Sequence, residues 1–362
     1  MTTTHAEIRI PTSDLRADIP FFTRTLNLRM DMIYPADDPQ VAVFSGHGVR
    51  LRIETGASEA PVTLRILCDD PSSFAGGNVD LVAPNGTKVE IRTAHTPMVM
   101  PETQHSFVVQ RLSDQAPWVI GRAGMHYRDL IPDRLGGSII ASHIRIPDGG
   151  PVPDMVHYHT VGFQLIFCYR GWVDLVYEDQ GEPFRLKAGN CVIQPPEIRH
   201  KVIYASDNIE VIEIGVPAEH VTTIDHDMTL PNGPADPVRK FQGQSFVHHK
   251  ADAAQWSSFR LPGFVSRDTE IADHTANVAG VHVVRPNSGV TEWTHHRCDI
   301  LFTFVMEGRM VLEGSDRDPV ELAPGDAFVI PPGMATRYRA VDDDLELLEV
   351  SLPGVFETIL SQ

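Results

Sequence analysis

The chain contains one domain twice. WVIGRAGMHYRDLIPDRLGGSIIASHIRIPDGG, starting at Trp118, lines up with WSSFRLPGFVSRDTEIADHTANVAGVHVVRPNSG, starting at Trp256. In both copies an Arg-Asp pair (Arg128-Asp129, Arg267-Asp268) precedes a histidine by the same interval (His143, His282), and a glycine follows at the same place (Gly150, Gly289). The match continues through KAGNCVIQPPEIRH against APGDAFVIPPGMAT and through NIEVIEIGVP against DLELLEVSLP. Such self-similarity predicts two like domains, at residues 118–220 and 256–362.

Each copy is a string of short runs rich in Val, Ile, Phe and Tyr, punctuated by Gly, Pro and Asp and without sustained helical periodicity, which predicts an all-β domain. Residues 95–117 and 221–255 carry turn-forming residues and read as a connector and a linker. Residues 1–94 differ: a strand in HAEIRIP, a helix in TSDLRADIPFFTRTLNL capped near Ser13 or Asp14, then strands around MDMIY, VAVFS, VRLRIE, VTLRIL and VEIRT, an α+β module. The whole is therefore expected to be mainly β.

The chemistry is concentrated in HYHTVGFQLIFCYRG, residues 157 to 171, where a buried-strand pattern carries imidazoles. His157 and His159 are two apart, so on a strand both point to one face. On the next strand Gln164, Ile166 and Cys168 share a face, and QPPEIRH presents His200 at the start of another. Three neutral imidazoles converging inside a small barrel form a divalent-metal site, with the Gln164 oxygen as a fourth candidate ligand.

The formal charge of −18 excludes a nucleic-acid or anionic-membrane surface as partner. The opening MTTTHAEIRI has neither the charged nor the apolar region of a leader, and no apolar run approaches the length of a membrane span, so a cytoplasmic protein is expected. Cys68, Cys168, Cys191 and Cys298 lack paired spacing and are assigned no chemistry.

The metal-site residues resemble the cupins, whose motifs are G(x)5HxH(x)3-4E(x)6G and G(x)5PxG(x)2H. His157, His159, Gln164 and Gly171 stand at the first set of positions, and Gly189, Pro195 and His200 at the second. Three departures are visible: Gln164 replaces Glu, Glu197 replaces the Gly after the proline, and Gly150 is one residue too far from the histidines. The resemblance implies two tandem cupin β-barrels, jelly rolls, with the metal in the first. In the second copy WTHHRC offers either His295 with Arg297 or Thr294 with His296, Leu301 replaces Gln164, and Thr336 replaces His200, so that barrel is expected to hold no metal and to serve structure. His143, recurring as His282 in that copy, reads as a structural residue. The amino-terminal module resembles the glyoxalase-like, or vicinal oxygen chelate, superfamily, which implies metal positions at His5 and Glu90; with Pro61 where another ligand would fall, a structural or dimerising role is expected.

Three histidines with a neutral amide leave a divalent centre at +2, which favours a small anionic chelating substrate: a catecholate, an enolate or a hydroxy acid. With three open positions for substrate and dioxygen, such a site suits an Fe(II) dioxygenase, and the resemblance extends to gentisate-type bicupin ring-cleaving enzymes. Gln164 and Arg145 are the candidate catalytic side chains, Arg145 as an anion anchor because the second copy has Val284 in the aligned place. One divalent transition metal per chain is expected, Fe(II) in preference to Mn, Ni or Zn, in a homo-oligomer. A non-oxidative isomerase, lyase or hydrolase using the metal as a Lewis acid, or a ligand-binding cupin without turnover, are the alternatives.

Overall fold

The computed structural model describes residues 7–34, 39–58, 62–94, 98–114, 117–121, 124–287, 292–339 and 341–361. It comprises two units, Met1–Pro97 and Met98–Gln362. Among the described residues no helix is long and apolar enough to cross a membrane.

In the first unit, strand Ile8–Thr12 leads into helix Leu15–Pro20, whose Asp14 cap accepts hydrogen bonds from the Arg16 and Ala17 amides. Pro20 donates no hydrogen bond, and the chain continues as a wider turn, Phe21–Thr25. Strands Arg29–Tyr34, Val41–Gly46 and Val49–Thr55 complete a four-stranded sheet in which Ile8–Thr12 lies parallel to Val49–Thr55. A second sheet pairs Thr63–Cys68 in parallel with Lys88–Thr93, which also pairs with Asp80–Val82. One apolar cluster around Phe22, Phe44, Leu51 and Ile53 serves the unit.

The second unit is built from two antiparallel sandwiches. In the first, the larger sheet runs Val247–His249, Cys191–Ile193, Phe163–Arg170, Ile209–Val216, Ile140–Ile146, His126–Asp129, Val119–Ile120, and the smaller runs Phe184–Lys187, Trp172–Tyr177, His200–Ala205, His157–His159, Thr222–Ile224. The second repeats this with Ile300–Glu307, Glu346–Leu352 and Gly280–Pro286 at the centre of its larger sheet and Thr294–His296 and Thr336–Arg339 in its smaller. Each sandwich encloses its own apolar interior. The two larger sheets also pack on each other: Phe163, Leu165 and Phe167 join Val281, Phe302 and Phe304 in one continuous core. Burial on both faces explains why these strands read as unbroken apolar runs rather than alternating ones.

The segments flanking the copies belong to the sheets. Strand Val108–Gln110 pairs with Ala327–Val329 of the second sandwich, and strand Val247–His249 pairs with Cys191–Ile193 of the first. Each copy thus lends its leading strand to the other. Turns after these strands dock equivalently, the Leu112 amide on Asp326 and the Ala251 amide on Asn190. SFVVQRLSDQAPW and SFVHHKADAAQW are the sequence trace of this exchange.

The strand register overturns one equivalence. Arg128 lies opposite His143 and Asp129 opposite Ser142, whereas Arg267 lies opposite Val283 and Asp268 opposite His282. The counterpart of His143 is Val283, and that of Arg145 is Arg285 rather than Val284. The crossover before this strand is one residue longer in the second copy, where it forms helix Ile271–His274 in place of the tight turn Arg134–Gly137. A slip of one residue sends a side chain to the opposite face. His143 accordingly faces the neighbouring sandwich, its Nε2 bonded to Glu210 at 2.6 Å and its Nδ1 to the Arg128 guanidinium at 3.1 Å.

Candidate metal centre

The smaller sheet of the first sandwich positions the histidines. His157 and His200 are direct cross-strand partners, and His159 projects from the same face as His157. Their ring centroids are 4.2 to 5.2 Å apart, and one ring nitrogen from each lies within 4.8 Å of the others. Among the described residues this is the one group of three or more His, Cys, Asp or Glu side chains that converges in this way. All three are buried.

The Nδ1 atoms hold the rings in place. That of His157 donates to the Met155 carbonyl at 2.7 Å and that of His200 to the Ile198 carbonyl at 3.0 Å, while that of His159 shares a hydrogen bond with the Thr222 hydroxyl at 2.9 Å. A proton fixed on Nδ1 directs the lone pair of Nε2 to the shared point, the arrangement metal-bound imidazoles require. The Asp154 carboxylate lies 3.6 Å from His157 Nδ1 and also accepts from the Val202 amide. Tyr177 stacks on His200 at 5.5 Å; burial pushes its phenol well above the ordinary range, so it remains neutral. The turn that delivers His200 passes through Glu197 with φ of 65°, where the second copy has Gly333 at 80°. The left-handed conformation that glycine supplies in the usual motif is therefore kept, with a glutamate paying its steric cost.

Gln164 is buried on strand Phe163–Arg170 of the larger sheet, its Nε2 donating at 2.7 Å to Glu213 Oε1 while its Oε1 has no hydrogen-bond partner among the described residues. Glu213, half-buried on strand Ile209–Val216, lines the same cavity as the three histidines. It was not among the expected site residues, which beside the imidazoles were Gln164 and Arg145. Its signal was parity, because Ile209 and Val211 precede it on the inward face and Glu349 recurs at its position. Arg145 is not in the cavity. Ile144 and Ile146 line it, which turns Arg145 to the other face, where it bonds Asn208. With Arg285 as its counterpart, the asymmetry that suggested an anion anchor disappears.

The cavity holds about 80 Å³ and is walled mainly by aliphatic side chains, among them Ile144, Val173, Leu175, Val202, Ile209 and Val211. Three Nδ1-anchored imidazoles in such a cavity fit a divalent transition metal. His157, His159 and His200 would hold it.

The second sandwich supplies the contrast. Thr294, His296, Leu301 and Thr336 occupy the places of His157, His159, Gln164 and His200, as shown by the pairings Thr294 to Thr336 and Leu301 to Ser351. His296 is committed at both nitrogens, Nε2 to the Ile330 carbonyl at 3.0 Å and Nδ1 to the Cys298 amide at 3.1 Å. Glu349, the counterpart of Glu213, is gripped by the Arg260 guanidinium, with one contact at 3.0 Å. A fixed guanidinium stands here in the role of the cation, and about 10 Å³ of space remains. Burial pushes the thiols of Cys168, Cys191 and Cys298 up to about 12, leaving them inert packing groups. In the first unit, Glu90 is paired with Arg65 at 2.8 Å, and His5 lies outside the described residues.

A family model described as a cupin domain matches residues 280–351, within the copy that lacks the triad. Comparison with the sequences of curated proteins finds no match. Among solved structures, oxalate decarboxylase from Bacillus subtilis aligns with a TM-score of 0.53 at 12% identity, covering 72% of this chain and 80% of that one. The formate complex of the Lactobacillus farciminis oxalate decarboxylase aligns with 0.52 at 16% identity, covering 72% and 91%. A variant of salicylate 1,2-dioxygenase from Pseudoaminobacter salicylatoxidans aligns with 0.54 at 15% identity, covering 73% and 90%. Both sandwiches of this chain, one with a histidine triad and one with a guanidinium in its place, therefore have the cupin superfamily fold.

Proposed function

We propose that the chain is a metal-dependent bicupin enzyme, an Fe(II) dioxygenase acting on a small chelating substrate. The observation that carries the reading is the convergence of three Nδ1-anchored imidazoles in a mainly aliphatic cavity. A divalent metal there would supply Lewis acidity and, as iron, would relay to dioxygen the electrons that the substrate gives up. The residues of the chain do the rest: His157, His159 and His200 fix the metal, the aliphatic wall excludes water, and the Gln164–Glu213 pair presents an acceptor beside the substrate. The fold shared with a salicylate 1,2-dioxygenase is consistent with this reading.

Glu213 favours one second reading. A carboxylate beside a Lewis-acidic centre suits proton transfer, and hence isomerase or lyase chemistry without oxygen. Two measurements separate the readings. Elemental analysis of protein purified without oxygen should find close to one transition metal per chain, lost in His157→Ala and His200→Ala and kept in His296→Ala. Oxygen uptake should then require both Fe(II) and a catechol or 1,3-diketone, and vanish in His159→Ala. Substrate consumed equally fast without oxygen, or by the zinc form, would replace the dioxygenase with the Lewis-acid enzyme.

A further inference from the structure

We infer that Tyr177 donates a hydrogen bond to an oxygen of the ligand held at the metal, with Gln194 fixing the phenol for that task; this rests on the metal reading above. Tyr177 and His200 are cross-strand partners in the smaller sheet. The phenol ring stacks on the His200 imidazole at 5.5 Å and packs against Phe246 at 4.7 Å, which leaves it little freedom to turn. It lines the cavity with the triad, as does Gln194, whose Nε2 donates to the Tyr177 hydroxyl at 2.9 Å. Both side chains are buried.

A hydroxyl that accepts from an amide keeps its own proton to give. No acceptor for that proton is found among the described residues. Filling the core would need only the ring, as a phenylalanine supplies it, since a buried hydroxyl and a buried amide each cost free energy to desolvate. The second barrel follows that rule. Thr336 stands opposite Gly314 as His200 stands opposite Tyr177, and the Ile330 amide bonds the Leu301 carbonyl as the Gln194 amide bonds that of Gln164. Gly314 and Ile330 therefore hold the two places, and neither has a side chain that can hydrogen-bond. The phenol and its amide accompany the triad in one barrel and are missing with it from the other. A carbonyl, enolate or phenolate oxygen is an acceptor that the phenol would recognise, so the ligand class is a small oxygen chelate. A nitrogen ligand whose lone pair is spent on the metal offers the phenol nothing.

The test is ligand binding to the whole chain loaded with Co(II), followed by visible absorption. Tyr177→Phe should keep its cobalt and lose about tenfold in affinity for acetylacetone, which presents oxygen acceptors. It should bind 1-methylimidazole, which coordinates through its one free nitrogen lone pair, as tightly as the wild type does. Gln194→Met leaves the ring in place and should weaken acetylacetone about threefold, again sparing 1-methylimidazole. Acetylacetone bound equally well by the wild type and Tyr177→Phe would overturn the inference. So would an equal loss for both ligands, the mark of a ring that only shapes the pocket. Should Tyr177→Phe fail to fold, the same two ligands on Gln194→Met decide the matter, and unchanged acetylacetone binding there refutes the inference. Cobalt content, measured first in the wild type and His157→Ala, isolates the underlying reading. A wild-type chain that takes up no cobalt takes the metal site and the phenol's role down together, whereas full uptake with no difference between ligands in Tyr177→Phe sinks the phenol's role alone.

Discussion

The second barrel lacks two of the three imidazoles, with Thr294 and Thr336 in the places of His157 and His200, and puts the one it keeps to another use. His296 is buried with a neutral ring that donates through Nε2 and accepts through Nδ1, and burial with Arg260 nearby pulls its pKa down to about 4. The unfolded chain, with an ordinary histidine near 6.5, binds more protons between those values. Stability from this residue is therefore present above pH 6.5 and is lost as the pH falls towards 4, by on the order of 3 kcal/mol. His296→Gln should flatten the acid limb of a plot of thermal midpoint against pH; an unaltered limb would show that the ring is not held neutral. The triad of the other barrel was legible because strand parity is a local rule, and His157, His159 and His200 obey it within short stretches. Glu213 was not, since its inward face depends on which residues of IEVIEIG point to the interior, a tertiary choice. Arg145 misled for a related reason, a one-residue difference in a crossover that alignment by sequence hides.

Among elements, the most informative are the paired arginines that open each repeat. Arg128 donates to the Gly325 carbonyl across the interface, and Arg267 reciprocates to the Gly189 carbonyl at 2.9 Å. The recurring Arg-Asp pair thus marks an interface device, one that the sequence displays but cannot explain until both barrels are in place. Arg128 is 1% exposed, and burial lowers its pKa. Arg128→Ala should remove about 3 kcal/mol by leaving a buried carbonyl and His143 without their donor, read as a fall of several degrees in the thermal midpoint. Arg134→Ala, which breaks a solvent-exposed pair with Asp129, should cost less than about 1 kcal/mol. Equal effects would mean that the cross-barrel bonds contribute nothing. The connectors were the part of the fold least legible beforehand. Strands of three residues, such as Val108–Gln110, are too short for periodicity to reveal and form only because a neighbour's sheet edge awaits them.

Across the Met98–Gln362 unit, exchanged strands and a common core make the barrels one object. Residues 231–240 are exposed and lie before the exchanged strand Val247–His249. A protease site inserted there should yield a nicked protein that elutes with the intact chain and separates only in denaturant. Separation under native conditions would show that neither the strand exchange nor the inter-barrel core holds the pair. The same exchange carries a consequence for synthesis. Strand Val108–Gln110 is made before either barrel, yet its partner Ala327–Val329 emerges late, with only Thr336–Arg339, Glu346–Leu352 and Thr358–Leu360 to follow. At about 5–20 residues per second on a ribosome, the earlier strand waits on the order of tens of seconds for its ladder. Through that interval the nascent polypeptide carries unpaired sheet edges, so its yield in the cell should depend on chaperones that shield them more than that of a protein whose barrels each close on their own residues.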